Sequence, residues 1–145
     1  MKTKHINENK RLNYLHSEID ALYHMSSLKL GISDSVSIVM YAICDLGEGC
    51  MLSDIYKNSG VSKQTVNSAI RSLEAEGILL LKQADGRSKR VYLTEKGREF
   101  ERNTAARLLQ AELDSFDDWT EDEISALIRL TEKYLRSFRA EIERM

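Results

Sequence analysis

The segment from Leu52 to Leu73, LSDIYKNSGVSKQTVNSAIRSL, leaves little freedom in how it folds. Two short helices that meet at a steep angle need a glycine where the chain turns through positive φ, and Gly60 stands there. Val61 follows as an apolar plug for the angle, and Ser62 is a good N-cap for the second helix. Leu52 and Ile55 supply the inner face of the first helix. Val66, Ala69, Ile70 and Leu73, spaced by three and four, supply that of the second. The pattern predicts helices over 53–59 and 62–76 arranged as a helix-turn-helix. Lys63, Gln64, Thr65, Asn67, Ser68 and Arg71 then point away from the core, with Ser62 at the head of the same face. None is acidic and all can donate hydrogen bonds to bases or phosphates; Glu74 and Glu76 come only in the last turn. A merely solvated helix usually mixes charge signs and favours long side chains, whereas Ser, Thr and Asn here allow close approach. Tyr56 departs from the small residue common after the inner position of the first helix, and is expected to swing outward toward a phosphate.

Beyond Gly77 the chain changes period. Ile78–Leu81 and Val91–Leu93 read as short strands, and Asp85-Gly86 between them is a strong hairpin signal because such a turn needs positive φ. The tip carries Arg87, Lys89 and Arg90, flanked by Lys82. A basic loop of this kind can enter a narrow minor groove. Asp85, two residues before Arg87, is placed to orient its guanidinium.

Helices account for the rest. Leu12, Leu15, Ile19, Leu22, Met25 and Leu28 mark a long amphipathic helix over 7–29 that ends at Gly31. Ser33 caps a second helix over 34–46, apolar on much of its surface and therefore expected to be buried. Thr94 caps a fifth that runs to about 116. Thr120 and Glu123 form a capping box for a sixth that runs nearly to the end, with Ile124, Leu127, Ile128, Leu135, Phe138 and Ile142 on its apolar side.

The formal net charge of −2 announces no nucleic-acid partner, but its distribution does. Residues 53–93 carry 7 Lys and Arg against 4 Asp and Glu, while the flanks at 1–52 and 94–145 are acidic at −1 and −4. A phosphate backbone meets the local field rather than the whole-chain sum. The N-terminus, Met1-Lys2-Thr3-Lys4-His5, has no apolar run behind it, and no stretch approaches the roughly 18–20 apolar residues of a membrane span. A reducing cytoplasm and no membrane partner are expected.

The order of helices, helix-turn-helix, basic hairpin and two long helices resembles the MarR family of bacterial transcription regulators over nearly the whole chain. The run Asp85, Arg87 and Val91-Tyr92-Leu93-Thr94-Glu95-Lys96-Gly97 is similar to that family's wing and the start of its following helix. Glu95 stands where the family often has proline, and its charge suits a helix N-terminus. The resemblance implies a mainly α fold with a small β-hairpin wing: a winged helix-turn-helix lobe over 33–94, and a helical dimerisation region over 1–32 and 95–145. It implies a homodimer on a palindromic operator in double-stranded DNA, with Ser62 to Arg71 in the major groove and Arg87, Lys89 and Arg90 in flanking minor grooves. It also implies repression relieved by a small-molecule effector. Independently of the resemblance, the long first, fifth and sixth helices carry more apolar surface than one small lobe can cover.

Other chemistries fare worse. Cys44 and Cys50 are candidates for a thiol-based sensor, but no cysteine lies near the start of the first helix, where such family members carry theirs; a core thiol and a loop thiol is the favoured reading. His5, His16 and His24 lack the spacing of a helical metal pair, and no metal or cofactor is expected. No phosphate loop, nucleophile elbow or His-Glu-x-x-His is present, so an enzyme is not expected, and Asp117-Asp118 and Glu121–Glu123 mark a loop and a helix start. A winged helix that docks protein would favour an apolar or acidic outer face at 63–71, which is absent. Tyr14, His16, Tyr41 and Arg107 are polar or aromatic candidates for an effector pocket, none favoured over the others.

Overall fold

The computed structural model describes residues 3–145, so Met1 and Lys2, which the leader reading and the 1–32 region include, lie outside the described residues. The order is α1 (Ile6–Leu30), α2 (Asp34–Leu46), α3 (Leu52–Asn58), α4 (Lys63–Ala75), β1 (Leu79–Gln83), β2 (Lys89–Leu93), α5 (Glu95–Asn103), α6 (Ala105–Asp114) and α7 (Glu121–Glu143). The chain divides into two compact units, Met1–Leu109 and Gln110–Met145.

In the first unit the core is built by the periodic positions. Met40 and Ile43 of α2, Ile55 of α3, Val66, Ile70 and Leu73 of α4, and Ile78 and Val91 at the hairpin are all fully buried. Each such side chain, withdrawn from water, contributes roughly 1.5–3 kcal/mol. Ser33 caps α2 by accepting from the Val36 amide at 3.2 Å. α1 packs on α2 yet buries only Ser27, leaving Tyr14, Leu15, Ile19, Leu22, Met25 and Leu28 exposed. His24 Nδ1 meets Asp34 Oδ2 at 2.7 Å and ties the end of α1 to the start of α2; this contact and Ser27 hold the Asp34 carboxyl below its usual range.

The helix expected to run unbroken from Thr94 to about 116 is two helices. Thr104 breaks it at φ −126°, ψ −90°. Thr104 is buried, so its hydroxyl needs a partner inside the protein, and it donates to the Phe100 carbonyl at 2.7 Å. A β-branched residue that bonds back to the carbonyl four residues earlier competes with the helix for that acceptor. The hairpin is also longer than the apolar runs alone suggested, because Lys82, Gln83, Lys89 and Arg90 continue the ladder.

In the second unit, Phe116 and Trp119 meet edge to face at 5.4 Å in the turn before α7. The capping box forms as expected: the Thr120 amide donates to Glu123 Oε2 at 2.9 Å and the Glu123 amide to Thr120 Oγ1 at 3.2 Å. α7 buries none of its residues. Among the described residues no single helix is long and apolar enough to cross a membrane.

Candidate nucleic-acid interface

Gly60 turns the chain between α3 and α4 at φ +69°, a conformation open to glycine and costly for a branched residue. Ser62 then starts α4 by accepting from the Thr65 amide at 3.2 Å, and its hydroxyl also meets Thr65 Oγ1 at 2.9 Å. With Val66, Ala69, Ile70 and Leu73 turned inward, Lys63, Gln64, Ser68 and Arg71 are exposed and Thr65 and Asn67 are half-buried. The outward face expected from helical spacing is therefore formed, except that the Ser62 and Thr65 hydroxyls are engaged with each other at the helix start.

Tyr56 does not swing outward. Its ring lies half-buried against the core, and its hydroxyl donates to Asn67 Oδ1 on α4. Lys63 Nζ sits over the same ring, 5.4 Å from its centre. An aromatic ring on an amphipathic short helix gains more from packing than from reaching into solvent, and its hydroxyl finds a partner at the edge of the core.

β1 and β2 pair antiparallel with Leu79 opposite Leu93 and Gln83 opposite Lys89. The turn closes through Ala84 N to Ser88 O at 2.9 Å and Ser88 N to Asp85 O at 3.3 Å, and the Gln83 amide group donates to the Gly86 carbonyl. Gly86 has φ +64°, as the Asp-Gly signal requires. Asp85 thus serves the turn through its backbone; among the described residues its carboxylate makes no ion pair with Arg87, in contrast to the expected orienting contact.

The wing cations separate by strand alternation. A cleft of about 560 Å³ lies between α3, α4 and the wing, lined on its basic side by Arg71, Arg87 and Lys89, and otherwise by Ser53, Tyr56, Asn67, Glu74 and Ser88 among others. Arg90, one position along β2, faces the other way. Its Nη1 donates to the Gly49 carbonyl at 2.8 Å, and Met51 bridges to Arg90 while Gly49 and Cys50 exchange backbone bonds with Val91. Arg90 thus anchors the wing to the segment before α3, and that added strand-like pairing was invisible in the sequence. Lys82 lies over Tyr92 at 4.7 Å. Glu48 accepts from Arg98 Nη2 at 2.8 Å and Nε at 3.2 Å, locking α5 to the same segment. Ser53, Glu74 and Ser88 are cleft residues that the sequence reading did not single out as contacts; Tyr56, the bulky exception in its motif, was expected at a phosphate and instead meets Asn67.

Tyr14, His16, Tyr41 and Arg107 do not line this cleft, and Tyr14 lies under the Arg11 guanidinium at 5.5 Å. Both cysteines are free and half-buried. Burial first, then the Glu101 and Asp45 charges, push the Cys44 thiol up; burial does the same for Cys50. A raised thiol is scarcely ionised at neutral pH and is a poor nucleophile. Iodoacetamide is therefore expected to label both thiols more slowly at pH 7.5 in the folded chain than in denaturant. Equal rates, followed by mass spectrometry, would restore the thiol-sensor reading.

No protein-family model and no curated relative matches the chain. Solved structures do. A MarR protein from Peptoclostridium difficile superposes with a TM-score of 0.69 at 22% identity, over 97% of this chain and 93% of that one. A Listeria monocytogenes protein described as a MarR family regulator, complexed with a 26mer DNA, gives 0.68 at 19% identity over 91% and 89%. Bordetella bronchiseptica BpsR, whose DNA binding is regulated by 6-hydroxynicotinic acid, gives 0.64 at 21% identity over 86% and 98%. At these identities the likeness establishes the architecture: this chain has the MarR-like winged-helix fold.

Proposed function

We propose that the chain is a sequence-specific DNA-binding transcription regulator that acts as a homodimer on a palindromic operator. The carrying observation is the shared cleft, which sets the polar face of α4 beside Arg87 and Lys89 of the wing, with the inner faces of both elements locked into one core. A helix that offers Lys63, Gln64, Asn67, Ser68 and Arg71 suits the edges of bases in a major groove, and a cationic hairpin beside it suits the adjacent backbone and minor groove. The 26mer DNA complex of the Listeria neighbour supports the same reading. BpsR supports a small-molecule effector, and the reading extends to a repressor that releases its operator when the effector binds. Dimerisation is supported by the exposed apolar stripes of α1 and of α7.

The test is selection of bound sequences from random duplex DNA, with affinity followed across a salt series. A palindrome with a steep negative salt slope is expected. Arg87→Ala is expected to weaken binding across sequences and to reduce the slope by about 1, the signature of one lost phosphate contact. Variants at Gln64 are expected to change base preference more than affinity. An unselective pool from the unmodified chain would refute the function, and an unchanged slope in Arg87→Ala would remove the wing from the interface.

A further inference from the structure

The contact between Tyr56 and Asn67 joins the two helices of the motif at the floor of the cleft. Tyr56 is a fixed post: its neighbour Ile55 is fully buried, and its own ring packs against the core. Asn67 lies on the same face of α4 as Lys63 and Arg71, one turn from each. Lys63 is held over the Tyr56 ring, so one tyrosine organises two consecutive residues of the candidate reading stripe.

The consequence lies in the amide. An asparagine side chain has an acceptor oxygen and a donor NH2 group. To read adenine it uses both at once, donating to N7 and accepting from the N6 amine. Here the oxygen already accepts from the Tyr56 hydroxyl. The oxygen keeps a second lone pair, but the Tyr56 contact holds it toward α3, so the end of the amide turned away from Tyr56 is the NH2 group, which only donates. Guanine presents two acceptors, N7 and O6, and no donor in the major groove, whereas adenine presents its N6 donor beside N7.

Resting on the DNA-binding reading above, we propose that Tyr56 is a specificity-determining positioning residue: by holding Asn67 Oδ1 it makes Asn67 a donor-only reader that selects guanine over adenine in the bound duplex. Tyr56 touches no base in this scheme and acts through Asn67.

The experiment is duplex selection with the unmodified chain, Tyr56→Phe and Asn67→Ala. Tyr56→Phe keeps the ring, its packing and the Lys63 contact, and removes only the hydroxyl. In the unmodified chain one position of the selected site is expected to favour guanine, and Asn67→Ala is expected to erase that preference. In Tyr56→Phe the amide is free to turn, and adenine is expected to rise about ten-fold against guanine at that position. The salt slope is expected to stay unchanged, since no phosphate contact is lost. A base distribution in Tyr56→Phe identical to that of the unmodified chain would overturn the proposal. So would a uniform loss of affinity with a smaller slope, which would put the tyrosine on the backbone. If Tyr56→Phe fails to fold, Asn67→Ala still decides: a lost preference for adenine rather than guanine overturns the proposal. No selected site at all for the unmodified chain overturns the DNA-binding reading as well, which separates the two failures.

Discussion

Gly97→Ala is expected to destabilise the first unit by about 3 kcal/mol or more, although alanine is the better helix former. Intrinsic propensity alone puts alanine ahead of glycine by about 1 kcal/mol inside a helix, so the two arguments predict opposite signs. The deciding fact is space. A Cβ on Gly97 would lie 1.9 Å from the Ile78 carbonyl oxygen, 2.9 Å from its carbon and 3.3 Å from Leu93 Cβ. That carbonyl cannot step aside, because it accepts from the Thr94 amide at 3.0 Å and from Thr94 Oγ1 at 3.1 Å. Thr94 in turn caps α5 by accepting from the Gly97 amide at 2.9 Å. Relief requires lifting α5 from the base of the hairpin, which breaks the cap and opens Ile78 and Leu93 to water. Thermal unfolding followed by circular dichroism reads the effect, with a fall in Tm of roughly 10 °C expected. A midpoint at or above that of the unmodified chain would show that α5 can shift freely and that the packing argument is wrong. Because Gly97 sits behind the wing, folded molecules of the variant are expected to lose DNA affinity through a misplaced hairpin as well.

The same residues show where sequence reasoning succeeds. Val66, Ala69, Ile70 and Leu73 repeat at helical spacing and all are buried, so their complement on α4 had to face outward. The Ser33, Ser62, Thr94 and Thr120 caps were legible because capping acts over three residues. What could not be read involves partners far apart in the chain or settled by burial. Arg90 finds the Gly49 carbonyl 41 residues away, a wing anchor that no local pattern marks. Tyr56 finds Asn67 across the turn, so a residue expected to point at phosphate became part of the floor. Thr104 breaks a helix because it is buried, and periodicity carries no mark of that. Gly97 reads as one more helical residue, and only the Ile78 carbonyl packed beside it, far back in the chain, excludes a side chain there.

Leu135→Glu is expected to leave the chain folded and to convert a dimer into a monomer. α7 spans 23 residues and buries none of them. Ile128, Leu135 and Ile142 recur every seven residues and are 55%, 51% and 50% exposed, with Ile124 one turn before the first of them and Phe138 between the last two. Seven residues are two helical turns, so this is one continuous seam rather than scattered surface apolar residues. A second copy placed by two-fold symmetry buries such a seam twice with one set of residues. A glutamate in the middle of it would carry an unpaired charge into that interface from each side, a far larger penalty than the loss of one leucine contact. Light scattering after size exclusion at micromolar concentration is expected to give twice the chain mass of 16.6 kDa for the unmodified protein and the single mass for the variant. The circular dichroism spectrum is expected to be unchanged, because Leu135 is not among the residues of its own chain's core. Affinity for a palindromic duplex is expected to fall by roughly 10²–10⁴, since each half-site must then be bound without help from the other. A half-site duplex is expected to bind both forms alike, which separates a lost partner from a damaged reading helix. A variant that stays dimeric would move the interface away from α7, and an unmodified chain that runs as a monomer would remove the palindrome from the model of action.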